Sequence, residues 1–110
     1  MEYRKPTQVE LDLIKFLVNQ SSLKLPFLEK HNLLVSSLED GRMGSLKLCH
    51  NTCSIDENRA MGKMVSEYLF KDIDEIDVVV SLYLDEKGEL YELEIWKTDF
   101  SELVKIPENF

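Results

Sequence analysis

Cysteine and histidine side chains stand close together in the segment 49–53, CHNTC, and these are the residues of the chain that could bind a metal. Thiolate and imidazole groups are ligands that zinc prefers, so Cys49, His50 and Cys53 are the candidate metal ligands. A tetrahedral site needs a fourth ligand, but His31 is the only other histidine and no second cysteine pair follows. A redox-active pair and two ordinary loop cysteines are the alternatives. We expect the last of these, with reduced thiols and without a metal or other cofactor.

Four carboxylates lie within the segment 72–77, DIDEID, and clustered oxygen ligands of this kind can bind calcium. A calcium-binding EF-hand loop also needs a central glycine and a distant glutamate, and neither stands at the required spacing. We therefore expect these acidic residues to cap and solubilise a turn.

Residue patterns typical of enzymes are missing from the sequence. The segment 40–45, DGRMGS, contains two glycines but does not open a helix, so it lacks the context of a phosphate-binding loop. There is no nucleophile elbow and no metalloprotease helix motif. We expect that the protein is not an enzyme.

Composition and charge narrow the function further. The chain has 110 residues, of which 44% are hydrophobic and 31% charged, and its formal charge is −8. These values predict one globular domain over residues 1–110. Neither nucleic acid nor an anionic membrane is an expected partner, because both require a basic patch. The start of the chain has no signal-peptide pattern and no apolar run is long enough to span a membrane, so we expect a cytoplasmic protein.

The elements that must position the functional residues follow from local signals. Thr7 and Glu10 have the spacing of a capping box, which predicts a helix over residues 7–21. Apolar runs separated by turn residues extend from 32 to 97 and predict about five antiparallel strands, and residues 98–110 form a C-terminal tail. Strands with short links usually pair in sequence. The sequence therefore predicts an α+β fold in which the helix packs on a twisted antiparallel meander sheet.

One predicted strand, over residues 64–73, does not alternate clearly between apolar and polar residues. Burial on both faces or a β-bulge would remove the conflict. The sequence does not determine which face this strand presents to the core.

The clearest element is a hairpin over residues 77–97, DVVVSLYLDEKGELYELEIWK. A four-residue loop, 85–88, predicts that Leu84 faces Glu89 and that one face of the hairpin is uniformly apolar. A three-residue loop would set Leu82 against Glu92 and bring a carboxylate to the buried face. The predicted core residues are Val78, Val80, Leu82, Tyr91, Leu93 and Ile95.

The second face of the hairpin contains the candidate partner-binding residues, which are Val79, Tyr83, Leu90, Glu92, Glu94 and Trp96. An aromatic and aliphatic stripe with an acidic rim resembles a protein-binding surface, where tryptophan and tyrosine are favoured anchors. Three interpretations are open. A homodimer or a foreign protein could cover this face, or the tail could fold across it with Phe100, Leu103, Val104 and Ile106.

The same half of the chain resembles a known family. It reads as SLxLDxxGEL and then as ELxxWKxDFS, up to an Ile-Pro pair. This succession is similar to that of a family of small bacterial proteins classed as a domain of unknown function. The matching residues are Ser81, Leu82, Leu84, Asp85, Gly88, Glu89, Leu90, Glu92, Leu93, Trp96, Lys97, Asp99, Phe100 and Ser101. The resemblance implies no established activity, and the segment 49–53 is not part of the pattern.

The leading hypothesis from the sequence is a non-enzymatic, cytoplasmic protein-binding module. Small acidic bacterial proteins of this kind often resemble immunity proteins that neutralise a basic toxin, so an immunity-like inhibitor of a basic partner is one form of it. The alternative is a small-ligand or metal-binding domain with a pocket between the helix and the sheet. An enzyme would need convergent polar groups in a cleft, which the sequence does not show.

Overall fold

The computed structural model describes residues 2–21, 32–50 and 59–108. Its elements are α1 (Gln8–Gln20), β1 (Leu33–Ser37), β2 (Leu46–His50), β3 (Met61–Lys71), β4 (Asp77–Asp85) and β5 (Leu90–Lys97). The helix packs on one face of an antiparallel sheet of five strands, which confirms the predicted α+β class. Within these described ranges, no helix is long and apolar enough to cross a membrane.

Helix α1 begins at the predicted capping box. The Thr7 hydroxyl accepts a hydrogen bond from the Glu10 amide at 3.2 Å, and the Glu10 carboxylate accepts one from the Thr7 amide at 2.9 Å. Both bonds satisfy backbone N–H groups that lack a partner at the start of a helix. The helix packs against β3 and β4. Its buried residues are Leu11, Leu13, Ile14, Leu17 and Val18.

The strands lie in the order β1-β2-β5-β4-β3, so the predicted meander is wrong in one respect. A meander would place β3 beside β2, but β5 occupies that position. The residues just before β3 show why. The Ala60 carbonyl accepts a hydrogen bond from the Glu86 amide at 3.0 Å, and the Arg59 guanidinium donates to the Leu48 and Leu90 carbonyls. These bonds direct the chain past the β4–β5 turn and into β3 on its far side.

The β4–β5 hairpin has a shorter turn than predicted. The Asp85 amide donates to the Glu89 carbonyl at 2.8 Å, and Gly88 adopts a φ of 87°. Three residues therefore separate the paired positions, and this turn needs glycine where φ is positive. Leu84 pairs with Leu90, so the prediction that Leu84 faces Glu89 is wrong.

A β-bulge at Tyr91 compensates for the short turn. Without it Leu82 would face Glu92, but the register shifts by one residue and Leu82 pairs with Leu93. As a result Leu90 is only 1% exposed, on the core face, and Tyr91 is only half-buried. The predictions for Leu90 as a partner-binding residue and for Tyr91 as a core residue are both wrong. The other predicted core residues are buried as expected: Val78, Val80, Leu82, Leu93 and Ile95.

The two edges of the sheet differ. At one edge β1 is partly covered, because Arg4 and Val35 exchange two backbone hydrogen bonds of 2.7 and 2.8 Å. At the other edge β3 shows two shifts in its pairing with β4, on either side of Met64. These bulges explain why the sequence of this strand does not alternate, and bulges are a common protection of an edge strand.

The C-terminal tail packs on the helix side of the sheet as far as it is described. Leu103 and Ile106 contact the core, and the Leu103 amide donates to the Arg42 carbonyl at 3.1 Å. Phe100 and Val104 are 70% and 55% exposed. Leu103 and Ile106 thus pack against the core and not across the second face of the hairpin, and of the four tail residues named above it is Phe100 that lies on that face, beside Trp96.

Candidate protein-binding face

Three apolar side chains form a row across the outer face of the sheet, the face opposite to α1. Leu69 on β3 pairs with Val79 on β4, and Val79 pairs with Trp96 on β5. Neighbouring strands are about 4.8 Å apart, so the row spans roughly 10 Å. Leu69 is 59% and Trp96 is 42% exposed, and Val79 is half-buried. Together with Phe100, which lies next to Trp96, these residues form a surface that we call the outer patch.

The aromatic rings of Trp96 and Phe100 form an open pair at the end of β5. Their centroids are 6.1 Å apart and their planes meet at 51°. A tight turn places Phe100 there: its amide donates to the Lys97 carbonyl at 2.8 Å, and the Asp99 carboxylate accepts a bond from the Ser101 amide at 3.0 Å. Phe100 has a φ of 63°, which costs a non-glycine residue about 1–2 kcal/mol. The ring is 70% exposed, so most of its surface faces solvent.

Carboxylates border the outer patch. In the next row of the sheet Glu67 pairs with Ser81, and Ser81 pairs with Glu94. Both glutamates are exposed, and in the part of the chain that the structure describes neither forms an ion pair. They therefore impose a negative potential on the border of the patch.

The other predicted site residues have different surroundings. Burial, and then the charges of Glu94 and Glu92, raise the pKa of Tyr83, which lies one row beyond the glutamates. Glu92 binds the Lys47 ammonium at 3.1 Å, and this ammonium also lies 3.8 Å from the centre of the Tyr91 ring. The charge of Glu92 is thus balanced within the protein. Of the predicted partner-binding residues, those on or beside the outer patch are Val79, Glu94 and Trp96.

A buried ionic cluster anchors the turn that carries Phe100. The Lys97 side chain is 0% exposed, and its ammonium donates to Asp72 at 3.0 Å, to Asp74, and to the Glu102 carbonyl at 3.0 Å. The Asp72 carboxylate also accepts bonds from the amides of residues 104–105, at 2.7 and 3.0 Å. All three ammonium protons have acceptors, as a buried charge requires. This cluster ties β5, the β3–β4 turn and the tail together.

Both members of the central pair are charged at neutral pH. Burial raises the pKa of Asp72, but bonds from the Val104 amide and Lys97 outweigh it and the pKa is below its usual value. Burial lowers the pKa of Lys97, but Asp74 and Asp72 outweigh it and the pKa is raised. The sequence interpretation missed this cluster and treated the acidic segment as a solubilising turn. The alternation of side chains between the two faces of β5 could have indicated the burial of Lys97, because this residue follows the core-facing Leu93 and Ile95 at a period of two.

A second ion pair holds the β4–β5 turn. The Asp85 carboxylate accepts a bond from Arg59 at 3.1 Å and bonds from the Lys87 and Glu89 amides at 2.9 Å. Burial alone would raise the pKa of Asp85, but these bonds lower it overall. Asp85 therefore acts as a structural residue of the turn.

The structure describes two of the three candidate metal ligands, Cys49 and His50. Cys49 is 3% exposed and is disulfide-bonded, so the expectation of a reduced thiol is wrong and Cys49 has no thiolate to offer a metal. His50 ends β2 and is 9% exposed. Cys53 lies outside the described residues. Among the residues that are described, no three His, Cys, Asp or Glu side chains group as a metal site.

Two cavities lined by described residues lie away from the helix–sheet interface. One, of about 730 Å³, is lined by the N-terminal segment and the end of β1, and the other, of about 480 Å³, by the β1–β2 turn. In the first cavity the Arg4 guanidinium already binds Glu10 at 2.8 Å and Ser37 at 3.2 Å. Neither cavity corresponds to the pocket between helix and sheet that the alternative hypothesis requires.

Comparison with known proteins adds a family. A family model described as Domain of unknown function (DUF6984) matches residues 3–107. The chain belongs to this family. The match confirms the expected membership of a family of unknown function, and it assigns no activity and no catalytic residue. No curated protein and no solved structure matches the chain.

Three polar residues of the C-terminal pattern stabilise the fold of this family member. Asp85 holds a turn, Lys97 holds the tail, and Asp99 shapes the turn after β5. Trp96 and Phe100 differ from them, because both are large, apolar and exposed. They are the residues of the pattern that the fold alone does not explain.

Proposed function

We propose that this protein is a non-enzymatic, cytoplasmic protein-binding module that binds a basic protein through the outer patch. One observation carries the proposal. The single tryptophan of the chain is 42% exposed beside a phenylalanine that is 70% exposed, on the sheet face opposite to α1. Exposed apolar patches of this kind mark interaction surfaces, and tryptophan is enriched among the residues that contribute most to binding.

Charge supports a basic partner over a second copy of the chain. The formal charge is −8, and Glu67 and Glu94 border the patch without an ion pair in the described residues. Two outer patches facing each other would bring four such glutamates together, and like charges across an interface are costly. An immunity-like protein that neutralises a basic toxin is the form of this proposal that best matches size and charge.

The experiment is affinity capture from an extract of the source cells, followed by measurement with the purified partner. Wild type is compared with Trp96→Ala, which removes the anchor, and with Glu94→Lys, which reverses an exposed charge. Met61→Ala is the matched control, because Met61 is 46% exposed on β3 but pairs with Asp85 at the opposite end of the sheet.

We expect the wild type and the control to bind the same protein, and the other two variants to lose at least about tenfold in affinity. Binding should also shift the emission of Trp96 to shorter wavelengths, since it is the only tryptophan of the chain. Glu94→Lys keeps the test decisive if Trp96→Ala lowers stability, because Glu94 is exposed. Equal binding by all four proteins would contradict the proposal.

A further inference from the structure

The backbone of Phe100 adopts a conformation that is uncommon for a residue other than glycine. Among the described residues three non-glycine residues have positive φ, namely Arg42, Glu75 and Phe100, and Phe100 is the aromatic one. A glycine would satisfy this turn with less strain, and the ring of Phe100 is 70% exposed. Strained, solvent-facing residues of this kind cluster at binding sites, where the strain positions a side chain for a ligand.

The strain places the Phe100 ring beside the Trp96 ring in a tilted pair that is open to solvent. The faces of aromatic rings carry partial negative charge and attract cations, most strongly for tryptophan. Two carboxylates add to this attraction: Glu94 lies in the neighbouring row, and Asp99 directly precedes Phe100. Hydrogen bonds from Ser101 lower the pKa of Asp99, so its carboxylate is charged at neutral pH.

Four basic residues of the sheet and its borders are engaged with other groups. Tyr91 already has the Lys47 ammonium at 3.8 Å and the Arg59 guanidinium at 5.2 Å from its ring centre. Lys97 directs its ammonium into the buried cluster, and Lys71 binds Asp77 at 3.1 Å. In the described part of the chain no lysine or arginine lies over the Trp96 or Phe100 ring. The aromatic pair is thus an acidic, electron-rich site to which none of the described residues supplies a cation.

We infer that the Trp96–Phe100 pair receives a lysine or arginine side chain of the protein partner. This inference rests on the proposed function and specifies it: the patch supplies apolar contact through Leu69 and Val79, and the ring pair supplies the contact that selects a positive charge. A second copy of this chain is disfavoured as the source of that side chain, because its own outer patch is bordered by carboxylates.

The test uses three capped hexapeptides that share leucine and serine neighbours and differ at one central residue, which is arginine, lysine or citrulline. Citrulline keeps the shape of arginine but carries no charge. Binding to the full chain is followed at low ionic strength through the indole N–H resonance of Trp96, which is unambiguous because the chain has one tryptophan. We expect the arginine and lysine peptides to bind about two- to fivefold more tightly than the citrulline peptide.

Two variants locate the effect. Phe100→Leu keeps an apolar side chain but removes one ring of the pair, and it should lower the arginine-to-citrulline ratio. Met61→Ala, at the far end of the sheet, should leave the ratio unchanged. Equal binding of the arginine and citrulline peptides at Trp96 would overturn the cation site and leave the protein-binding proposal standing. No binding of any peptide would also overturn the cation site, whereas the protein-binding proposal is contradicted when wild type, Trp96→Ala, Glu94→Lys and Met61→Ala bind the captured protein equally.

Discussion

Replacing Phe100 by glycine and by alanine tests whether its backbone is strained for the benefit of the exposed ring. At an ordinary position glycine is less stable than alanine by about 0.5–1 kcal/mol, because it loses more backbone freedom on folding. At a φ of 63° alanine retains a left-handed cost of about 1–2 kcal/mol that glycine avoids. The left-handed cost of alanine is larger than the entropic cost of glycine at this position. We therefore expect Phe100→Gly to be more stable than Phe100→Ala by about 0.5–1 kcal/mol.

The loss of the ring itself affects both variants equally. The ring is 70% exposed, so roughly a third of the side-chain surface is buried. A phenylalanine buries about 200 Å² when fully enclosed, and a third of that at about 25 cal/mol per Å² gives a loss near 1.5 kcal/mol. Phe100→Ala should therefore be destabilised by about 1.5 kcal/mol and Phe100→Gly by about 1 kcal/mol or less, while both lose the aromatic pair.

The assay is urea unfolding followed by far-ultraviolet circular dichroism. For a slope of about 2 kcal/mol per molar urea, the expected difference moves the midpoint by roughly 0.3–0.5 M between the two variants. Val104 provides the matched control, because it is 55% exposed and its φ is not positive. There Val104→Ala should be more stable than Val104→Gly. If glycine is the less stable residue at both positions, the argument that Phe100 is held in a strained conformation for its ring is refuted.

Three further results are expected from the cluster and the helix cap. Asp72→Asn should lower the free energy of unfolding by about 3 kcal/mol, because it leaves the buried Lys97 ammonium without its charged partner at position 72. The Val104 amide, which donates to Asp72, should also exchange its hydrogen faster. Protection of this amide equal to that in wild type would contradict the prediction. Stability should fall below about pH 3.8, as Asp72 with its lowered pKa becomes protonated, and again above about pH 10.5, as Lys97 with its raised pKa loses its proton. In Asp72→Asn the acid decline should be smaller, and an unchanged acid limb of the pH titration would show that other carboxylates cause it. Thr7→Ala should lower the free energy of unfolding, measured by thermal unfolding, by about 1 kcal/mol, whereas Thr7→Ser should be nearly as stable as wild type. If Thr7→Ser is destabilised as much as Thr7→Ala, the hydrogen bond from the Glu10 amide to the side chain of residue 7 is not the cause.

The outer patch was only partly foreseeable, because exposure depends on what the rest of the chain covers. The alternation of β5 placed Trp96 opposite the core, and the sheet confirms this position. Its exposure depends on Leu103 and Ile106, whose side chains the tail directs to the core and not to the outer face. The apolar pattern of the tail allowed either arrangement. Phe100 joined the patch through a turn whose positive φ no sequence signal indicated.

Local interactions allowed the sequence alone to determine the start of α1, the existence of the β4–β5 hairpin and five of its core residues. The capping box joins residues three apart, and strand alternation is a property of each strand by itself. The strand order, the bulge at Tyr91 and the burial of Lys97 were decided only by the tertiary structure. Each depends on contacts between residues far apart in the chain, as when Asp72 and Asp74 neutralise Lys97, and a pattern within one segment does not contain that information.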